Sequence, residues 1–234
     1  NDAINMVSAA KDSGKQLVVV KQNRYNPPVR ELKQLLALGK LGKISSVQVN
    51  ACWNRNKAYY ANSDWRGSKA LDGGTLYTQF SHFVDLMIWL FGDLKLVKGF
   101  RSNANHQGVI DFEDQGVVAL QFESGILGTL HYTVNAYEKN MEGSITVFGE
   151  KGTIKIGGAY LNERAYSSVE ESLPSVSPEE NLPNQYDGYQ GSMSNHPMVY
   201  DDLIRLLNGQ PSSLATPEDG LRTVQAIEKI YNTV

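Results

Sequence analysis

Apolar residues along this chain recur in two registers, one that fits helices and one that fits strands, and the shift between them organises the sequence. Asp2 caps a first helix with Ile4, Val7 and Ala10 at helical spacing, and Gly14 closes it. Residues 16–21 (QLVVVK) read as a short, continuously apolar strand of the kind buried on both faces. Pro27 and Pro28 start a helix that runs to residue 38, with Val29, Leu32, Leu35 and Leu36 on its apolar face. Residues 44–53 alternate Val47, Val49, Ala51 and Trp53 with Gln48, Asn50 and Cys52, which predicts a strand with one buried face. A polar and aromatic loop spans residues 54–71. Residues 75–91 contain neither Gly nor Pro and predict one helix, apolar nearly all round.

Beyond Gly92 the period shortens to two. Strands are predicted at residues 94–101, Gln115–Phe122, 126–134, 144–148 and 153–156, with hairpin turns at residues 123–125 and 149–152. Residues 157–195 are rich in Ser, Pro and Glu and lack periodicity, which predicts a long excursion that orders over a ligand or stays mobile. Helices at His196–Leu207 and at residues 217–232 close the chain, the second behind a Thr216 capping signal.

Consecutive hairpins require antiparallel pairing. The strands therefore predict an α+β fold with a large, open, mostly antiparallel sheet and helices on one face. Val118, Leu120 and Phe122 fall on one side of a strand, and Val117, Ala119 and Gln121 on the other. Both sides are partly apolar, so the open face is expected to meet a second subunit in a dimer or tetramer. One helix and one buried strand cannot form a core by themselves. Residues 1–22 accordingly read as the last α/β unit of a preceding domain, and residues 23–234 as a substrate-binding and dimerisation domain.

Composition narrows the function classes. Of 234 residues 41% are hydrophobic and 20% charged, enough apolar material for a substantial core. A net charge of −3 without a basic block argues against a nucleic-acid partner. No apolar run is long enough to cross a bilayer and no signal peptide opens the chain, so no membrane partner is expected. The single Cys52 excludes an internal disulfide and fits a cytoplasmic location. The four histidines have no ligand-like spacing, so no metal is expected. Glycine-rich phosphate loops and the G-x-S-x-G elbow are absent as well.

Chemistry concentrates in DGGTLYTQFSHFVDLMIWLFG, residues 72–92. Thr78, His82, Asp85 and Trp89 recur at i, i+4, i+7 and i+11 and would stack along one stripe of the helix. Buried polar groups must be bonded to something, so the stripe either satisfies itself or faces a polar ligand. Gln79 adds a further polar group. Arg24, Arg66 and Lys139 sit in turns beside aromatics or amides, namely Asn23-Arg24-Tyr25-Asn26, Trp65-Arg66 and Lys139-Asn140. Guanidinium recognises carboxylate and phosphate through two parallel donors, so a sugar-phosphate or sugar-acid pocket suits this set. Taken singly, each cation reads equally as a solvated surface charge.

Several segments together resemble the C-terminal part of the Gfo/Idh/MocA oxidoreductases. These are the buried strand and N-R-Y-N-P turn of residues 16–27, the H-x-x-D-x-x-x-W-L-x-G helix end of residues 82–92, and the G-x-x-G-T-I hairpin of residues 149–154. Within that family, DWRGSKALDGG, TQFSH and EKNMEGSITVFGEKGTIKIGG look most like bacterial nucleotide-sugar 3-dehydrogenases acting on UDP-N-acetylglucosaminuronic acid in surface polysaccharide and lipopolysaccharide synthesis. The resemblance implies an N-terminal Rossmann domain that binds NAD or NADP and supplies a catalytic lysine, neither present here, so the chain is expected to be a fragment inactive alone. It implies His82 and Thr78 as catalytic residues, although many relatives carry Asp where Thr78 stands. It implies Arg24, Tyr25, Asn26, Trp65, Arg66, Gln79, Lys139 and Asn140 as substrate-binding residues. The alternatives are a free-sugar or inositol dehydrogenase of the same family, or a non-catalytic dimerisation or ligand-binding module.

Overall fold

The alternating segments pair into one seven-stranded sheet, and the helices at Pro27–Ala37, Ser81–Phe91 and Pro217–Thr233 bury their apolar stripes in one continuous core with it. The computed structural model describes residues 2–170, 183–186 and 189–234. In chain order the elements are α1 (Asp2–Ser13), a 3-10 turn (Gln22–Tyr25), α2 (Pro27–Ala37), β1 (Ile44–Cys52), α3 (Lys57–Ala61), α4 (Thr75–Thr78), α5 (Ser81–Phe91), β2 (Leu94–Ser102), β3 (Gln115–Phe122), β4 (Leu127–Thr133), β5 (Glu142–Gly149), β6 (Gly152–Gly157), β7 (Glu163–Val169), β8 (Pro183–Tyr186), β9 (Tyr189–Met193), α6 (His196–Leu207) and α7 (Pro217–Thr233). The sheet order is β2-β3-β4-β1-β5-β6-β7, and β8 pairs with β9 apart from it. All pairings in the large sheet are antiparallel except that of β1 with β4. No helix among the described residues is long and apolar enough to cross a membrane.

The predicted two-sidedness of β3 holds. Val118, Leu120 and Phe122 are buried under the helices, whereas Val117 is 57% exposed on the opposite face. There it pairs with Phe100 of β2, itself 85% exposed, and Leu96 and Leu127 are exposed as well. The capping signal before α7 is a complete capping box: Thr216 Oγ1 accepts from the Asp219 amide, and the Asp219 carboxylate accepts from the Thr216 amide.

Four expectations need correction. Residues 16–21 are not a strand but an extended segment with a single bridge, Val19 to Ala215. Their apolar side chains lie along α7 instead, where Val19 occupies the space a side chain on Gly220 would need. The helix predicted over residues 75–91 is broken. The Gln79 and Phe80 amides both donate to the Thr75 carbonyl, which ends α4 before Ser81 begins α5. Two anchors override helix propensity at the break. Phe80 is fully buried against Trp53, Phe83 and Tyr132, while the Gln79 amide is drawn to Arg55 and Tyr59. The loop of residues 54–71 contains α3, started by an Asn56 side-chain cap. The aperiodic stretch 157–195 includes β7, β8 and β9, and its residues 171–182 and 187–188 lie outside the described residues.

Candidate active site

His82 sits in the first turn of α5, where Phe83, Val84 and Leu86 anchor the helix in the core at 0% exposure. Its Nδ1 is buried and has no hydrogen-bond partner among the described residues, and neither has Oδ1 of Asn23 on the 3-10 turn. Burial, and then the charges of Lys21 and His196, push the His82 pKa down to about 3. The ring is therefore neutral near pH 7 and keeps one nitrogen as an acceptor. Burial also lowers Lys21, with Asp85 pulling the other way. An apolar cleft of about 420 Å³ runs between residues 17–21 and α7 and reaches Lys21, Tyr77 and Ser81 at its end.

A second set of polar groups gathers around Gln79. Arg55, buried just beyond β1, donates from Nε to Gln79 Oε1 (2.6 Å) and from Nη1 to Asn140 Oδ1 (3.2 Å). Gln79 Nε2 donates to the Tyr59 hydroxyl (2.8 Å), and Asn140 Nδ2 donates to that of Tyr160 (3.2 Å). The Arg66 guanidinium lies 4.3 Å from the Tyr59 ring centroid and 5.5 Å from that of Trp65. His106 supports this set from behind. One ring nitrogen contacts Asp114 (3.1 Å) and the other the Arg55 carbonyl (2.8 Å). Burial raises the Asp114 carboxyl, but the Ala104 and Asn105 amides and His106 outweigh it and hold the group below the usual range.

The stripe expected on a single helix splits among three partners. Thr78 donates to Asp72 Oδ1 (2.6 Å), which brings a carboxylate from the preceding loop to the neutral hydroxyl. Asp85 turns away to Arg24, whose Nε and Nη2 meet its two oxygens at 2.9 and 2.8 Å while Nη1 reaches Asp219 (3.0 Å). Trp89 lies beneath the Arg24 and Lys33 cations. Only His82 is left with a buried nitrogen that has no hydrogen-bond partner among the described residues.

The other sequence-derived residues fall into two groups. Gln79, Asn140, Arg66 and Trp65 come together around Arg55 and Tyr59, and Lys139 is exposed on the loop before Asn140. Arg24, Tyr25 and Asn26 are instead fastened inside the protein. The Tyr25 hydroxyl donates to Asp202 (2.7 Å), and burial pushes its pKa well up. Asn26 Nδ2 donates to the Tyr160 carbonyl (2.9 Å), and Asn26 Oδ1 accepts from Asn195 (2.5 Å), the residue before His196. Sequence reasoning missed Lys21, Asn23, Arg55, Tyr59, Tyr160 and His196. Arg55 and Tyr59 had a signal in the interleaved aromatics and cations of WNRNKAYY, residues 53–60.

Among the described residues no group of three His, Cys, Asp or Glu side chains converges as metal ligands would. These residues do not fit a dinucleotide either. Residues 16–21 join no sheet, and the first turn of α1 carries Asp2 where a phosphate would need positive potential.

Residues 29–155 match the model of the GFO/IDH/MocA C-terminal domain. Two solved structures superimpose over 99% of the chain: the WlbA dehydrogenase from Bordetella pertussis (33% identity, TM-score 0.85) and that from Chromobacterium violaceum (34%, 0.84), each a complex with NADH and UDP-GlcNAcA. Oxidoreductase P35 from Formosa agariphila is 26% identical over 66% of the chain. The chain spans 64% of the length of each WlbA structure and 47% of the Formosa protein. With more than half of its residues inside the family model, the chain belongs to the GFO/IDH/MocA oxidoreductase family, of which it carries the C-terminal domain.

Proposed function

We propose that this chain is the substrate-binding portion of an NAD-dependent dehydrogenase that oxidises the C3 hydroxyl of a UDP-linked N-acetylated hexuronic acid, with the dinucleotide held by another domain. One observation supports it above the rest: a neutral imidazole, His82, with an unpartnered buried nitrogen, next in sequence to Ser81 of the cleft lining, in a chain one-third identical to two dehydrogenases holding UDP-GlcNAcA. In this reading residues 1–22 are the edge of the dinucleotide domain and residues 23–234 the substrate domain.

The chain's own residues account for the proton. As the hydroxyl becomes a carbonyl its proton turns strongly acidic, so an imidazole of low pKa accepts it although it would not deprotonate a free alcohol. Low basicity also keeps His82 uncharged beside Lys21 before the reaction. Thr78, steadied by Asp72, and Gln79, fixed by Arg55 and Tyr59, hold the sugar ring. Trp65, Arg66, Lys139 and Asn140 meet the carboxylate and diphosphate. Arg24, Tyr25 and Asn26 act from behind by fixing the turn that carries Lys21 and Asn23. The exposed apolar band of Leu96, Phe100, Val117 and Leu127 is the surface for self-association, and the oxidised sugar supplies surface polysaccharide synthesis.

Calorimetric titration with UDP-N-acetylglucosaminuronic acid, UDP and glucuronic acid tests the reading. The UDP-linked acid should bind most tightly, and Gln79→Ala should weaken it about tenfold or more. Equal affinity for the free acid would favour a free-sugar enzyme. No binding of any of the three would contradict the reading.

A further inference from the structure

Helix α4, which carries Thr78 and leads into Gln79 and His82, has no side-chain cap of its own because Gly74 stands at its start. The acceptor comes from the far end of the chain. The Tyr231 hydroxyl, three residues from the C-terminal residue Val234, accepts the Leu76 amide proton (2.9 Å) and donates its own to Glu113 Oε1 (2.7 Å). Glu113 also accepts the Thr75 hydroxyl at its carbonyl (2.6 Å), so both contacts arrive within the first two residues of α4. Gly74 is part of the same joint. A Cβ at that position would collide with the Tyr231 hydroxyl, and its φ of 131° already disfavours any side chain.

The peg is held on its other side too. Arg101 lies 4.9 Å from the Tyr231 ring centroid, donates to the Tyr231 and Val234 carbonyls (3.3 and 2.9 Å), and stands 3.7 Å from the buried Glu113 carboxylate. Burial is the largest influence on Glu113 and raises its pKa. The four-residue helix is too short to hold its own orientation, since isolated single turns are unstable. Its direction is set at one end by Tyr231 and at the other by the Gln79 contacts already described.

We propose that Tyr231 is a positioning residue, a hydroxyl peg from α7 that fixes the start of α4 and thereby the placing of Thr78, Gln79 and His82. The functional meaning of that placing rests on the substrate reading above, but the peg itself is tested without ligand. Tyr231→Phe keeps the ring and removes the two hydrogen bonds. Amide hydrogen exchange of the full chain should then quicken at least tenfold at residues 75–80 relative to the rest of the core, and the NMR signals of the Gln79 carboxamide and His82 imidazole should shift. Gly74→Ala supplies the second readout. Its loss of thermal stability should be smaller in the Tyr231→Phe background than in wild type, because the colliding oxygen is gone. Exchange that rises uniformly or not at all, unmoved Gln79 and His82 signals, or additive losses in the double variant would each overturn the peg. None of those results bears on whether the sugar nucleotide binds, which the titration above decides.

Discussion

Replacing Arg24 by alanine should destabilise the protein severely while leaving direct ligand contacts intact. The Arg24 and Asp85 side chains are only 6% and 1% exposed, and the guanidinium supplies both short contacts to the two carboxylate oxygens. Without it, Asp85 keeps a single hydroxyl donor, Thr223 at 3.2 Å, for a charge that cannot reach water. Breaking a buried pair from one side costs about 3–5 kcal/mol, a large part of the total stability of an ordinary domain. For a chain of this size that is a drop in Tm of roughly 6–20 °C. Asp219 loses one partner as well. Burial raises its carboxyl, but Arg24, with the Thr216 amide and Arg222, outweighs burial and holds it below the usual range. Urea unfolding followed by tryptophan fluorescence reads the change. Joint replacement, Arg24→Leu with Asp85→Leu, should cost less than the sum of the single variants because neither member of the pair is left buried without the other. A loss under about 1 kcal/mol, accompanied by a large fall in sugar-nucleotide affinity, would refute the reasoning and return Arg24 to the substrate.

Three further outcomes follow from particular residues. The depressed His82 pKa means that the unfolded chain takes up a proton on acidification that the folded chain refuses; stability should therefore fall between about pH 6.5 and pH 3, by up to about 1.4 kcal/mol per unit from this group, and His82→Asn should flatten that slope in urea titrations run across the window. Phe80→Ala should cost about 3–5 kcal/mol, measured by denaturant midpoint, because the ring is fully buried among Trp53, Phe83 and Tyr132; an effect below 1 kcal/mol would mean that the break between α4 and α5 has another cause. Phe100→Asp should change the Tm of the isolated subunit little, since the side chain is 85% exposed, yet should lower the sedimentation coefficient of any self-associated form.

Much of the fold could be read from residue patterns because strand alternation is a local signal. Val118, Leu120 and Phe122 announce their buried face by spacing alone, and the ends of β3 follow from the polar and glycine residues beside them. The helix face of Val29, Leu32 and Leu35 is equally plain. The strand misread at residues 16–21 shows the limit of such signals. An apolar run records that it is buried, not whether a neighbouring strand exists to pair with it. The broken helix at Gln79 and Phe80 was hidden for a different reason. Nothing within residues 75–91 forbids a continuous helix, and the forces that end it come from Arg55, Tyr59, Trp53 and Tyr132, all distant in sequence.

The site divides along the same line. His82 and Gln79 stand out in the sequence as polar groups in an apolar run, and the structure gives Gln79 partners in Arg55 and Tyr59 and leaves the buried His82 Nδ1 without one among the described residues. The partnership of Arg24 with Asp85 was not visible, because a guanidinium beside aromatics looks the same whether it awaits a ligand or is already spoken for by a carboxylate 61 residues away. Lys21 and His196 escaped notice because their link to His82 exists only once the 3-10 turn and α6 meet, through Asn195 and Asn26.

The most direct measurement is the turnover of His82→Asn, assayed with NAD and UDP-N-acetylglucosaminuronic acid in the dehydrogenase proposed above. Asparagine keeps a polar group of similar reach but cannot take a proton, so kcat should fall at least a hundredfold while KM stays within about threefold. Turnover equal to wild type would contradict a proton-accepting role for His82.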